Sequence, residues 1–96
     1  MSDAELLALA RKLPRGVLAR LVAVLEHGAA KYGCAVDATG GGQTALDHLQ
    51  HGYAHLGRAV AADQIGAEQS RDAETGRLDL DHAAARLVLA MGEVEP

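Results

Sequence analysis

The sequence predicts an all-α fold, a small four-helix bundle with two long connections that associates with copies of itself. Three observations carry this expectation. Ala, Leu and Val dominate the apolar half of the composition, Phe and Trp are absent, and Tyr32 and Tyr53 are the only aromatic residues, so the β-branched and aromatic residues that strands favour are scarce. Apolar residues recur at helical steps of three and four in separate stretches. Between these stretches lie a glycine run and a polar, acidic segment without periodicity. A chain of 96 residues has room for one domain, spanning 1–96, and a domain so small gains from a partner.

The first helix is expected over about 4–12, capped by Ser2 or Asp3 and presenting Leu6, Leu9, Ala10 and Leu13 on one face. Pro14 fits a restart, because proline is tolerated in a first turn and clashes in an interior. The second helix then spans about 15–32. Its apolar face is Leu18, Leu21, Val22, Leu25, Ala29 and Tyr32, and Gly33 stands at a plausible C-terminal cap. Cys34 to Gln43 contains Gly40, Gly41 and Gly42 in a row and is expected as a loop.

Thr44 can cap a third helix over about 44–62. Leu46, Leu49, Tyr53, Leu56 and Val60 alternate steps of three and four, a narrow seam of the coiled-coil kind. Asp63 to Gly76 is expected as a long surface connection. A fourth helix over about 80–92, capped by Asp79 or Asp81, would turn Leu80, Ala84, Leu87 and Met91 inward. The Ala-rich positions Ala54, Ala59, Ala61 and Ala62 allow close approach between copies.

Charge and cysteine content exclude several classes. A net charge of −4 argues against a nucleic-acid polymer as the main partner. No apolar run approaches the roughly 20 residues of a membrane helix. One cysteine, Cys34, excludes an intramolecular disulfide and a Cys-rich zinc site, and nothing beside it activates the thiol. The N-terminus lacks a cationic-plus-apolar signal segment, so a cytoplasmic location is expected. The glycine run is followed by no GxxxxGK[ST], which excludes a P-loop.

The third helix also carries His48, His51 and His55 at steps of three and four, on the side opposite the Leu seam. Three readings stand: a solvated polar face, a second buried or intersubunit face, and a metal or phosphate site. For the last, His51 and His55 at i, i+4 can point at one ion, but no Glu lies between them as in the zinc-protease helix. The carboxylates Asp47, Asp63, Glu68, Asp72, Glu74, Asp79 and Asp81 could hold a hard cation. Their spacing does not form the paired ExxE and ExxD of all-α nucleotide pyrophosphatases.

The order of several short segments is more specific. Lys12-Leu13-Pro14 is followed by Glu26-His27-Gly28-Ala29-Ala30-Lys31-Tyr32-Gly33, then the His55-Leu56 helix. Asp72-Ala73-Glu74-Thr75-Gly76 comes last, leading into Leu80-Asp81-His82-Ala83-Ala84. In this order the chain resembles the small helical domain at the N-terminus of phage dATP/dGTP diphosphohydrolases, which also occurs as short stand-alone phage proteins. The resemblance covers nearly the whole chain. GAxKYG and DxxTG…HAA are its more specific pieces. The pattern departs at Cys34 to Gln43, where the family has a short stretch ending in Asn-Trp. It departs again at Asp79, where the family has the first His of HLxHA, and at Ala54-His55, where it has Arg-His.

The resemblance implies a phage or prophage nucleotide-handling protein that, if an enzyme, is a nucleoside triphosphate diphosphohydrolase converting purine dNTP to dNMP and pyrophosphate with Mg²⁺. Catalytic work would fall to His55 and His82, facing each other from the third and fourth helices. Nucleotide contacts would come from Lys31, Tyr32, Tyr53 and Arg58, and Mg²⁺ would sit on Glu68 and Asp72. The partners implied are a nucleotide or nucleotide-derived small molecule and further copies of the chain, as a homodimer or higher oligomer. Two readings from other classes stay open: a non-catalytic oligomeric binder that sequesters a nucleotide or nucleotide second messenger, and a protein-binding module using the His stripe.

Overall fold

A computed structural model describes residues 1–14, 16–32 and 43–94, and among these the chain is all-α with four helices and no strand. The helices are α1 (Asp3–Ala10), α2 (Val17–Tyr32), α3 (Ala45–Gln64) and α4 (Asp79–Glu93). The side chains of residues 31 and 32, Arg15, and the expected Gly33 cap and glycine loop lie outside the described residues.

Local chemistry accounts for the helix starts. Ser2 caps α1 in a reciprocal box: its Oγ accepts from the Glu5 amide at 3.1 Å, and Glu5 Oε1 accepts from the Ser2 amide at 3.3 Å. Thr44 and Asp47 repeat the device at α3, at 3.2 and 2.9 Å. The second helix begins at Val17 and not at 15, because Gly16 takes φ +83°, a left-handed conformation that no α-helix continues through. The aspartates expected to cap α4 do not cap it: Leu78 holds the N-cap position without a side-chain bond, and Asp79 is already in the first turn.

The connection from α3 to α4 is a built turn. Arg71 and Leu78 pair as an antiparallel bridge. Between them Asp72 Oδ1 accepts from the Glu74 and Thr75 amides, both at 3.0 Å, the local turn bonding that aspartate favours. Gly76, at φ +71°, donates back to the Asp72 carbonyl at 2.8 Å. The expectation of a polar connection holds, but its backbone is closed on itself.

Packing inverts the expected core. The main packed pair is α3 against α4, with α2 resting on α4. The face that α3 turns to α4 carries His48, Gly52 and Ala59, all buried, with His55 half-buried between them. These positions also step by four and three. The Leu seam points away: Leu46, Leu49, Tyr53, Leu56 and Val60 are exposed, and so are Leu80, Ala84, Leu87 and Met91 of α4. Small residues decide the choice. A Cβ added at Gly52 would stand 3.1 Å from Arg86 Cβ and 3.6 Å from the Ala83 carbonyl, so the helices approach where side chains are smallest.

The expected apolar face of the first helix is likewise open, since no residue of α1 is buried. That of the second is divided: Leu18 and Val22 are exposed, Leu21, Leu25 and Ala29 are half-buried, and among the described side chains of α2 the fully buried one is Val24. Ala59, expected between copies, is buried inside the chain. The radius of gyration is 14.1 Å, against about 12 to 13 Å for a compact chain of this length. No helix of the described residues is long and apolar enough to cross a membrane.

Candidate functional site

Three segments deliver polar side chains to one end of the α3/α4 seam. α3 contributes His55 and Arg58, three residues apart on one face, and α4 contributes Asp79 and His82 in the same relation. The turn before α4 contributes Asp72 and Thr75. The amide of Asp79 donates to the Ser70 carbonyl at 2.9 Å, which ties the start of α4 to the connection and sets the height of its first turn.

Asp79 is the centre. It is fully buried, and its Oδ1 lies 2.7 Å from His55 Nδ1 and 3.2 Å from Arg58 Nε. A terminal guanidinium nitrogen of Arg58 also approaches His55 Nδ1 at 2.9 Å. With its proton on Nδ1, His55 donates to the carboxylate, which fixes the ring as an aspartate orients a histidine in hydrolytic sites. Burial pushes the Asp79 carboxyl up. Hydrogen bonding from His55, the nearby Ser70 hydroxyl and Arg58, with the Arg58 charge, outweighs it and holds the group below 3.8. Ser70 Oγ and Asp79 Oδ2 are both buried and fall short of full hydrogen-bond geometry, so the Ser70 contribution is the weaker part of that balance.

His82 stacks on His55 with ring centroids 4.6 Å apart and planes 14° from parallel. Its Nε2 is 2.7 Å from Thr75 Oγ1, which in turn accepts from the Arg77 amide at 3.1 Å. Burial first, and then the neighbouring His55 charge, lower the His82 pKa from 6.5, so the ring is neutral near neutral pH. For Asp72 burial is again opposed by hydrogen bonds, here from the Thr75 and Glu74 amides, and the net value lies below 3.8.

Donor atoms of His55, Asp72 and Asp79 lie within 4.8 Å of one another. An ion about 2.0 to 2.2 Å from each donor sets neighbouring donors about 3 to 4 Å apart, so a modest contraction closes the group on a cation. One imidazole with two carboxylates suits Mn²⁺, Zn²⁺ or Fe²⁺ as well as Mg²⁺. Arg58 already places positive charge on Asp79 Oδ1 and would yield that oxygen to the ion.

The sequence-predicted residues divide. His55, His82, Asp72 and Arg58 come together, and Asp79, expected as a cap, joins them as the buried member. Its signal was the i, i+3 spacing to His82 at the position where the resembled pattern has a histidine. Thr75, inside the DxxTG piece, was not singled out. Glu68 is exposed and outside the donor group. Tyr53 is 80% exposed and lies on the apolar side of α3 with Leu49 and Leu56. The side chains of Lys31 and Tyr32 lie outside the described residues.

The His stripe is split as well. His51 is exposed, as a solvated face requires, but His48 is fully buried with Nδ1 3.1 Å from an Arg86 guanidinium nitrogen, which also bonds Gln43. Burial and then the Arg86 charge lower the His48 pKa from 6.5. On the far side of α4, Asp81 takes Arg20 of α2 in a forked pair at 3.0 to 3.3 Å, which fixes α2 against α4. No family model, no curated protein and no solved structure matches the chain.

Proposed function

We propose that this chain handles nucleotides at the His55, His82, Asp72 and Asp79 cluster, as a divalent-metal-dependent hydrolase that converts purine deoxynucleoside triphosphates to monophosphates and pyrophosphate. One observation carries the reading: a buried carboxylate, a second carboxylate and two stacked imidazoles converge from α3, α4 and the connection between them. A cation bound by His55, Asp72 and Asp79, with Mg²⁺ as the first candidate, would supply positive charge to the phosphate chain. Asp79 orients His55. Thr75 holds His82 through Nε2, leaving Nδ1 free to take a proton from the attacking water. Arg58, half-exposed at the edge, is in place to meet phosphate oxygens once it leaves Asp79. The resemblance in Lys31-Tyr32-Gly33 adds a phosphate contact and a base-stacking ring. Closure of the four helices as a bundle within a homo-oligomer, phage or prophage origin and a cytoplasmic setting belong to the same proposal.

Incubating the pure protein with dATP or dGTP and either Mg²⁺ or Mn²⁺ and assaying pyrophosphate tests it. Turnover that Asp79→Asn abolishes supports the enzyme, and no turnover at stoichiometric protein overturns it. The position of Arg58, filling the cation's place against Asp79 and His55, favours a second reading, a non-catalytic nucleotide binder. Thermal stabilisation by nucleotide without pyrophosphate release identifies that case.

A further inference from the structure

Among the described residues, the buried apolar ones are Val24, Ala59, Ala83, Ala85 and Ala90. Four of the five offer one methyl group each. Burial of apolar area is the main favourable term in folding, and ordering this many residues is the main opposing one. A core so rich in alanine leaves many of the larger apolar side chains exposed.

Those side chains are gathered, not scattered. Leu49, Tyr53 and Leu56 of α3 stand beside Leu80 and Leu87 of α4 on one side of the molecule, around a groove of about 350 Å³ whose lining holds no charged residue. We propose that this face docks the same face of a second copy of the chain, a deepening that rests on the self-association in the functional reading.

Three features favour a second copy over another occupant. The α3 seam keeps alternating steps of three and four, the pattern by which one helix packs along another like itself. The face holds both a groove and a projecting knob, Tyr53, which is 80% exposed; a two-fold interface needs such self-complementarity, each Tyr53 entering the other groove. Size is compatible. The 20-residue α3 and the 15-residue α4 are about 30 and 22 Å long, and with axes about 9 Å apart and diameters of about 10 Å they present a face about 20 Å wide, a flat footprint of roughly 400 to 600 Å², of the same order as the roughly 800 Å² of accessible surface per partner in a standard interface. The His and carboxylate cluster lies on the other side of α3 and stays open in such a dimer.

Analytical ultracentrifugation of the full chain between about 1 and 100 µM, with Tm followed over the same range, tests this. A dimer is expected whose Tm rises with concentration. Tyr53→Glu and Leu87→Glu should each weaken it at least about tenfold, as interface-centre substitutions do, while His51→Glu on the opposite side leaves it unchanged. A wild-type monomer with concentration-independent Tm overturns both the face and the self-association. A wild-type dimer indifferent to Tyr53→Glu and Leu87→Glu overturns the face and leaves self-association standing. A monomer whose groove takes up an amphipathic helical peptide assigns the face to a different protein and overturns the proposal. If one variant loses its fold, the other still reads the face, and the concentration dependence of wild-type Tm reads self-association separately.

Discussion

His55 and His82 stack face to face, 4.6 Å between ring centroids, one from the third helix and one from the fourth. Two imidazolium rings at that separation would repel, so the stack requires that at least one stays neutral. Burial supplies the reason, and Thr75 at 2.7 Å holds His82 in place.

Acid should therefore destabilise the fold well above the carboxylate range. His48 and His82 both have folded-state pKa values below 6.5, so the unfolded chain binds their protons more readily. Stability is complete above that value and falls as the pH drops through the lower folded values. A thermal series from about pH 8 to pH 5 should show the loss, and NMR titration of the His82 ring should place its midpoint below 6.5. A flat profile contradicts it. The carboxylates Asp72 and Asp79 act later, since their stabilisation, present above 3.8, disappears only as the pH falls through still lower folded values.

Replacing Asp79 by Asn should cost about 2 kcal/mol in urea unfolding, less than the roughly 3 to 5 kcal/mol of a fully buried pair because Arg58 is half-exposed and can turn to water. The same change should remove any stabilisation by Mn²⁺ or Mg²⁺. Retained metal stabilisation in Asp79→Asn would place the cation elsewhere.

The Arg20 and Asp81 pair should act on one helix and not on the whole fold. Arg20 is about half-exposed and its bonds to Asp81 are forked. Arg20→Ala is expected to lower Tm by a few degrees and to raise amide exchange along α2 while α3 and α4 keep their protection. Uniform loss across all helices would show that α2 is part of the same cooperative unit.

Gly52 should behave unlike other helical glycines. Alanine in a helix interior is worth up to about 1 kcal/mol over glycine, and Gly28, with nothing within 4 Å of an added Cβ, should gain it. At Gly52 the added methyl meets Arg86 Cβ at 3.1 Å and separates α3 from α4, so Gly52→Ala should be neutral or destabilising. Equal gains in urea midpoint at the two positions would mean that the contact yields freely.

The starts of α1 and α3 were legible because capping is local. Ser2 with Glu5, and Thr44 with Asp47, need only three residues of spacing to form their boxes. The convergence of His55, His82 and Asp72 was expected only through the resemblance, and it appears in the structure. Asp79 was read as a cap and as one of seven carboxylates that could hold a cation, with nothing to single it out, because a carboxylate at a helix start has a local use and its burial against Arg58 and His55 does not show in spacing. Glu68 and Tyr53 fitted the chemistry by residue type but lie away from the cluster.

Which face of the third helix points inward is where sequence and tertiary structure part. Periodicity found two stripes on it, one of Leu and Tyr and one of His48, His51 and His55, and hydrophobicity alone assigned the first to the core. By itself the sequence determined the all-α class, the four helices of the described residues and the capped starts of α1 and α3, since these depend on propensity, caps and neighbours a few residues away. Only the tertiary structure decided the orientation. The small side chains of Gly52 and Ala59 admit close approach to α4, and the charges of Arg58 and Asp79 neutralise each other at the start of α4. Together these let His48, Gly52, His55 and Ala59 face α4 and left His51 and the Leu seam outside.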